Sequence, residues 1–198
     1  MRFPSLLLLS VGLLCCRFCD LPLARILATR TWGAATLQGA RTLSWLFTPA
    51  LHAGVAVVLS VWHFFRNKRP GSPVFRFILL HGVVNLSIAL LKCLVGRARP
   101  FVLSGGEVTL FRHMTLDDFY HSFPSGHVGV ACVTVAVCAL HRPSFKRVGM
   151  ALLPFVALSR LVLMKHFVGD LLLTCLLVMW LNVLVSKIEE RVETVSRV

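Results

Sequence analysis

Apolar residues fall into six runs, at 3–16, 44–65, 74–95, 123–140, 148–164 and 167–186. Crossing the hydrocarbon of a bilayer as a helix takes about 20 residues, within a range of about 17–25. The second, third and sixth runs meet that length, and the fourth and fifth lie near its short end. The first needs flanking residues, through Leu23, to reach across. No water is present at that depth to satisfy a bare amide, so each run must close its own hydrogen bonds as a helix. With 57% hydrophobic and 15% charged residues, the chain carries more apolar surface than a water-soluble domain of 198 residues can hide. The pattern predicts one all-α integral-membrane domain over residues 1–198, built as a bundle of six transmembrane helices.

Charge orients the bundle. Arg66, Lys68, Arg69 and Arg76 crowd one connection and Arg142, Lys146 and Arg147 another. Cytoplasmic loops are marked in this way, so both ends of the chain are expected in the cytoplasm. The connections at 96–122 and 165–166 then lie on the outer face. Arg2 ahead of an apolar run resembles a signal peptide, but no small-x-small cleavage site follows, and a retained first helix is expected. Residues 17–43 read as an amphipathic interfacial segment, with Arg25, Arg30 and Arg41 snorkelling to headgroups. The formal net charge of +13 is spread over short clusters rather than one face, which argues against a nucleic-acid partner. Cys16 and Cys19 form a lone CxxC without a second pair, so no zinc site is expected.

Three polar clusters interrupt the apolar runs, and the topology brings all three to one face. They are Lys92-x6-Arg99-Pro100, Ser122-Phe123-Pro124-Ser125-Gly126-His127, and Ser159-Arg160-x5-His166-x3-Asp170. Ionisable groups at membrane depth are costly and usually functional. Lys92, Arg99 and Arg160 offer three cations to phosphate oxygens. Ser125 and Gly126 are expected to leave amides open at a helix start, where anions bind. His166 and Asp170, four apart, are expected to share a helix face. Asp170 then takes the proton-bearing ring nitrogen and leaves the other free to attack. His127, across the phosphate, protonates the leaving oxygen and later activates water.

With those three signatures intact and in order over positions 92–170, the sequence resembles the type 2 phosphatidic acid phosphatase family, whose core is shared with vanadium haloperoxidases and bacterial acid phosphatases. The resemblance implies metal-independent hydrolysis of a phosphoester through phosphohistidine, with no cofactor. It assigns phosphate binding to Lys92, Arg99, Ser125, Gly126 and Arg160, and catalysis to His166, Asp170 and His127. The expected substrate is a lipid bearing a phosphate monoester or diphosphate: phosphatidate, phosphatidylglycerophosphate, isoprenyl diphosphate or lipid A. The setting expected for so compact a chain is a bacterial inner membrane, with the site facing the periplasm.

Rival readings use the same residues. A phosphotransferase replaces water with an alcohol acceptor, a haloperoxidase holds vanadate, and a non-catalytic binder leaves the His166–Asp170 pair without a purpose. Other positions have plainer readings. His81 and Asn85, on one stripe of the third run with Lys92, suit interhelical hydrogen bonding. Thr174 suits a bond to its own helix or to Asp170. Arg112, His113, Asp117, Asp118 and His121 are expected to face the headgroup. Lys165 is an unusual neighbour for a nucleophile, placed to meet a second anion or a headgroup.

Overall fold

A computed structural model describes residues 2–66, 73–105, 109–141 and 143–195. Lys68, Arg69 and Arg142, invoked for orientation, lie outside these residues. The described chain forms helices α1 (Arg2–Leu14), α2 (Asp20–Ala28), α3 (Ala34–Leu46), α4 (Pro49–Phe65), α5 (Pro73–Val95), α6 (Gly126–His141), α7 (Pro143–Val162) and α8 (Val168–Val195). Together they make six spanning rods. A π-helical turn, Cys15–Cys19, joins α1 to α2, so the first rod runs on past Leu23 to Ala28. The second rod is α3 followed by α4, broken at Phe47 and Thr48. The remaining four rods are single helices.

Residues 17–43, expected as one interfacial segment, are divided between these two rods by the turn at 29–33. The apolar stretches Ser5–Ala28 and Ala34–Trp62 are both long enough to cross a bilayer, as are Val74–Val95 and Val168–Val192. Gly126–Ala139 is shorter. Prolines at the first helical position start α4, α5 and α7, where a missing N–H costs nothing and φ is already helical. Large apolar side chains such as Val57, Val58 and Leu86 stand more than 60% exposed on the outside of the bundle, a surface that only lipid solvates without penalty.

Among the described residues the interior holds two apolar clusters. Leu80, Val84 and Ile88 of α5 meet Val133 and Val137 of α6 and Val178 and Val185 of α8. Val128 and Ala131 of α6 meet Val156 of α7 and Leu171 of α8. At one end Arg76 of α5 reaches α8, bonding Glu189 at 2.6 Å, Ser186 at 2.6 Å and Asn182 at 3.0 Å. The opposite end carries the three polar clusters. There the connection after α5 folds back on itself. Ala98 N–H donates to the Leu110 carbonyl at 2.9 Å, Arg99 N–H to Phe119 at 2.9 Å and Ser122 N–H to Arg97 at 2.9 Å. Gly96, at φ +56°, makes the turn out of α5 that allows this pairing.

Candidate active site

Each polar cluster sits at a helix end or in the adjoining connection. Lys92 lies in the last turn of α5 and Arg99 just beyond it. Ser125, Gly126 and His127 open α6. Arg160 lies in the last turn of α7, His166 in the connection that follows, and Asp170 in the first turn of α8. The expected residues do converge. Lys92, Arg99 and Arg160 are electrostatic neighbours of both His127 and His166.

His166 is 3% exposed, and its Nδ1 donates to the backbone carbonyl of Ser122. A carbonyl only accepts, so the ring proton is on Nδ1 and the Nε2 lone pair is free. Burial, reinforced by Arg160, Lys92 and Arg99, pushes the imidazole well below the ordinary histidine range, although the Ser122 carbonyl works the other way. The carboxylate nearest the ring, Asp170 Oδ2, is 4.0 Å from Nδ1. His166 precedes the first residue of α8, so the helical four-residue relation does not apply to it, and its orienting acceptor is Ser122 rather than Asp170.

Asp170 instead anchors what surrounds the histidine. It accepts from Arg97 Nη1 at 2.5 Å, from the Ser122 hydroxyl at 2.6 Å and from the Phe167 amide at 2.9 Å. The last contact is a third-position carboxylate reaching back to the amide at the helix cap. Arg97 Nη2 bonds Asp20 Oδ2 at 2.8 Å, and Asp20 Oδ1 accepts the Gly169 amide at 2.9 Å. Asp20 and Asp170 are 1% and 0% exposed. Burial opposes the Arg97 charge, but the carboxylates of Asp170 and Asp20 outweigh it and raise its pKa. Its guanidinium also lies 4.4 Å from the Phe167 ring centre. Gly169 has no room for a side chain, since a Cβ there meets Asp20 Oδ2 at 2.7 Å.

Ser125 differs from expectation in one respect. Its amide donates to Thr174 Oγ1 at 2.9 Å and is therefore taken, while Thr174 in turn donates to the Asp170 carbonyl at 2.6 Å. The amides of Gly126, His127 and Val128 precede the first helical bond, from Gly129 to Ser125, and have no partner within α6. The Ser125 hydroxyl and the Nε groups of Arg99 and Arg160 are buried without a hydrogen-bond partner among the described residues. Arg160 Nη1 also donates to the Ser44 hydroxyl on α3.

The rest of the 109–122 loop mostly folds on itself. His121 bonds Asp118 and the Thr115 carbonyl, His113 the Leu94 carbonyl, and Arg112 lies 3.8 Å from Asp117. Asp118 also stands 3.8 Å from Arg99. Lys165 lies with its ammonium 4.5 Å from the Phe101 ring centre, and burial followed by Arg99 and Arg160 lowers its pKa. His81 makes no interhelical hydrogen bond among the described residues; it stacks between Phe77 at 5.2 Å and His52 at 5.8 Å. Asn85 bonds the His81 carbonyl of its own helix.

The model of the PAP2 superfamily matches residues 73–192, which includes every one of the three clusters. The chain belongs to the PAP2 superfamily. Among solved structures, this PAP2 chain is similar to the crystal structure of the first transmembrane PAP2 type phosphatidylglycerolphosphate phosphatase from Bacillus subtilis. The TM-score is 0.63 at 20% identity, over 96% of this chain and 94% of that one. The shared fold therefore takes in the first two rods as well as the matched region. No curated protein matches the sequence.

Asp20, Arg97, Ser122 as orienting group, and Ser44 are the contributions that sequence reasoning missed. One signal did exist for Asp20. It is the only acidic residue before Glu107, and it sits in an apolar stretch. Arg97→Met leaves two buried carboxylates facing each other, and the expected loss of stability is about 3–5 kcal/mol. Asp20→Asn keeps an acceptor for Gly169 and is expected to cost about 1–3 kcal/mol. Thermal unfolding of both variants in the same detergent checks the order.

Proposed function

We propose that this PAP2 protein removes phosphate from a phosphorylated membrane lipid by way of a phosphohistidine on His166, without a metal ion. The observation that carries the reading is His166 itself. It is a buried imidazole whose proton is fixed on Nδ1 and whose Nε2 is free, set among Lys92, Arg99 and Arg160. The buried, unmatched donors at Ser125, Arg99 and Arg160 support an oxyanion as the group bound there. The open amides at the start of α6 would add to that cradle.

In the first step Nε2 attacks phosphorus. The bond from phosphorus to the lipid oxygen breaks, and His127 gives that oxygen its proton. In the second step His127 removes a proton from water, the resulting hydroxide displaces His166, and inorganic phosphate leaves. The three cations stabilise charge on the equatorial oxygens in both steps. Asp170, bound to Arg97, Ser122 and the helix cap, holds the Ser122 carbonyl against Nδ1 as the ring gains positive charge. A divalent ion would be repelled by the same cations that bind phosphate.

A lipid is the expected substrate because the site lies at the end of a membrane bundle. Arg66, Arg76, Lys146 and Arg147 lie at or near the opposite ends of their helices, which favours a site on the outer face and, in a bacterial inner membrane, a periplasmic one. Lys165 adds a cation beside Arg99 and Arg160, and suits a headgroup with a second anionic group. Phosphatidylglycerophosphate and isoprenyl diphosphate both have one, and the Bacillus subtilis relative is named for the first.

Phosphate release from a panel of lipid phosphates in detergent with EDTA present tests the proposal. Turnover is expected for wild type, with a loss of at least about a thousandfold in His166→Ala. Turnover that appears only with added magnesium or zinc contradicts it. The pH profile gives a second check. With the His166 pKa lowered, the neutral nucleophile persists below the ordinary value of 6.5. The acid limb of kcat/KM, which reports the free enzyme, is expected below that pH and not at it.

A further inference from the structure

The break in the second rod, at Phe47 and Thr48, lies beside the phosphate site, and a string of hydrogen bonds leads through it. Arg160 Nη1 donates to the Ser44 hydroxyl, the Thr48 hydroxyl to the Ser44 carbonyl at 3.0 Å, and His52 Nδ1 to the Thr48 carbonyl at 3.3 Å. A carbonyl only accepts, so the His52 proton is on Nδ1 and its Nε2 lone pair is free. The ring is also held by its faces. His52 stacks on Phe47 at 5.8 Å and on His81 at 5.8 Å, with interplanar angles of 19° and 24°, and His81 stacks in turn on Phe77 at 5.2 Å. His81 is 2% exposed, so the column is anchored in the bundle interior. The first turn of α4 abuts the start of α6. A Cβ on Gly126, the residue before His127, would meet Cγ of Pro49, three residues before His52, at 2.8 Å.

Four titratable side chains act on His127 across space: Arg160, Lys92, Arg99 and His52. The first three are cations and only donate, whereas His52 offers a lone pair. We propose that His52 is a positioning residue for His127, its Nε2 accepting the proton-bearing nitrogen that His127 does not turn toward the lipid oxygen. The inference rests on the reading of His127 as the general acid. Which ring nitrogen of a histidine carries the proton is set by the hydrogen bond that the other makes. His127 enters the first step with a proton on each nitrogen, gives one to the lipid oxygen and keeps the other on His52 Nε2. In the second step the bare nitrogen takes its proton back from water, so no net proton passes to His52. The stacked column and the Thr48 carbonyl fix the acceptor, and the acceptor aims the acid. Ser44, on the same string, ties this aim to the position of Arg160.

His52→Phe keeps a ring in the stack and removes the acceptor, and His52→Gln restores an acceptor without the ring. Both are assayed on dioleoyl phosphatidate, whose alkoxide needs a proton to leave, and on 4-nitrophenyl phosphate, whose phenolate does not. kcat/KM covers the steps through departure of that group. The expected result for His52→Phe is a fall of at least about tenfold on phosphatidate, part of the roughly 10²–10⁴-fold that a general acid supplies, and of less than about twofold on the aryl ester. His52→Gln is expected to recover most of the loss. In a His127→Ala background, His52→Phe is expected to cost nothing further. Equal losses on both substrates, no loss on either, or the same loss with and without His127 overturn the inference. A second measurement is independent of turnover. In ¹⁵N-histidine NMR of the protein in detergent, His127 is expected as one tautomer in wild type and as a mixture in His52→Phe, and the His52 Nε2 resonance is expected to move in His127→Ala, which leaves His52 and its stack in place. Resonances of each ring that ignore the other's substitution overturn the inference. Coupled resonances in a protein that hydrolyses no lipid phosphate leave the positioning standing and remove the lipid-phosphatase reading instead.

Discussion

One guanidinium, that of Arg97, holds together parts of the chain that are far apart in sequence. It lies between Asp20 on the first rod and Asp170 on the last, at 2.8 and 2.5 Å, with both carboxylates essentially sealed from solvent. Burying three charges is expensive, and such a cluster persists only when each member is well paired. Here the pairing is close to complete. Asp170 accepts from Arg97, Ser122 and Phe167, and Asp20 from Arg97 and Gly169. Two of those donors are amides at the start of α8, so the carboxylates also cap that helix and meet its positive end. Two long apolar rods and a polar loop are thereby locked in one register by groups that hydrocarbon alone could not position.

The same arrangement separates charge within the site. Asp170 is paired with Arg97 and not with Lys92, Arg99 or Arg160. Lys92, Arg99 and Arg160 lie about His127 and His166, and among the described residues the carboxylate paired with one of these cations is that of the exposed Asp118, 3.8 Å from Arg99. Among the described residues, no buried carboxylate is paired with these three cations. The Ser122 carbonyl transmits the position of Asp170 to the imidazole, through the hydroxyl and backbone of a single residue. The π-helical turn at Cys15–Cys19 lies immediately before Asp20, at the point where the first rod packs on α8.

Much of this was legible in the sequence, because lipid imposes strict rules. Continuous apolar runs of spanning length must be helical, and ionisable groups between them are costly, so α5 and the gathering of Lys92, Arg99, His127, Arg160, His166 and Asp170 at one end of the bundle could be read directly. Pairings across the bundle were less accessible. Asp20 is 77 residues from Arg97, and no local periodicity connects them. The expectation that Asp170 meets the His166 ring assumed that both lie on one helix. The helix begins at Val168, and the intervening turn gives the ring to Ser122 instead. The interfacial reading of residues 17–43 weighed the arginines over the apolar residues between them, whereas packing on α7 and α8 draws both pieces into the bundle.

The central claim is that His166 accepts the phosphoryl group. It is tested most directly by acid-free quenching of the protein with a lipid labelled in its terminal phosphate, followed by peptide mapping. The account predicts an acid-labile, alkali-stable phosphate on the peptide containing His166, accumulating in His127→Ala, where the second step is slowed, and absent in His166→Ala. Turnover of the lipid with no label on the chain under any quench, or label on a residue other than His166, would contradict it.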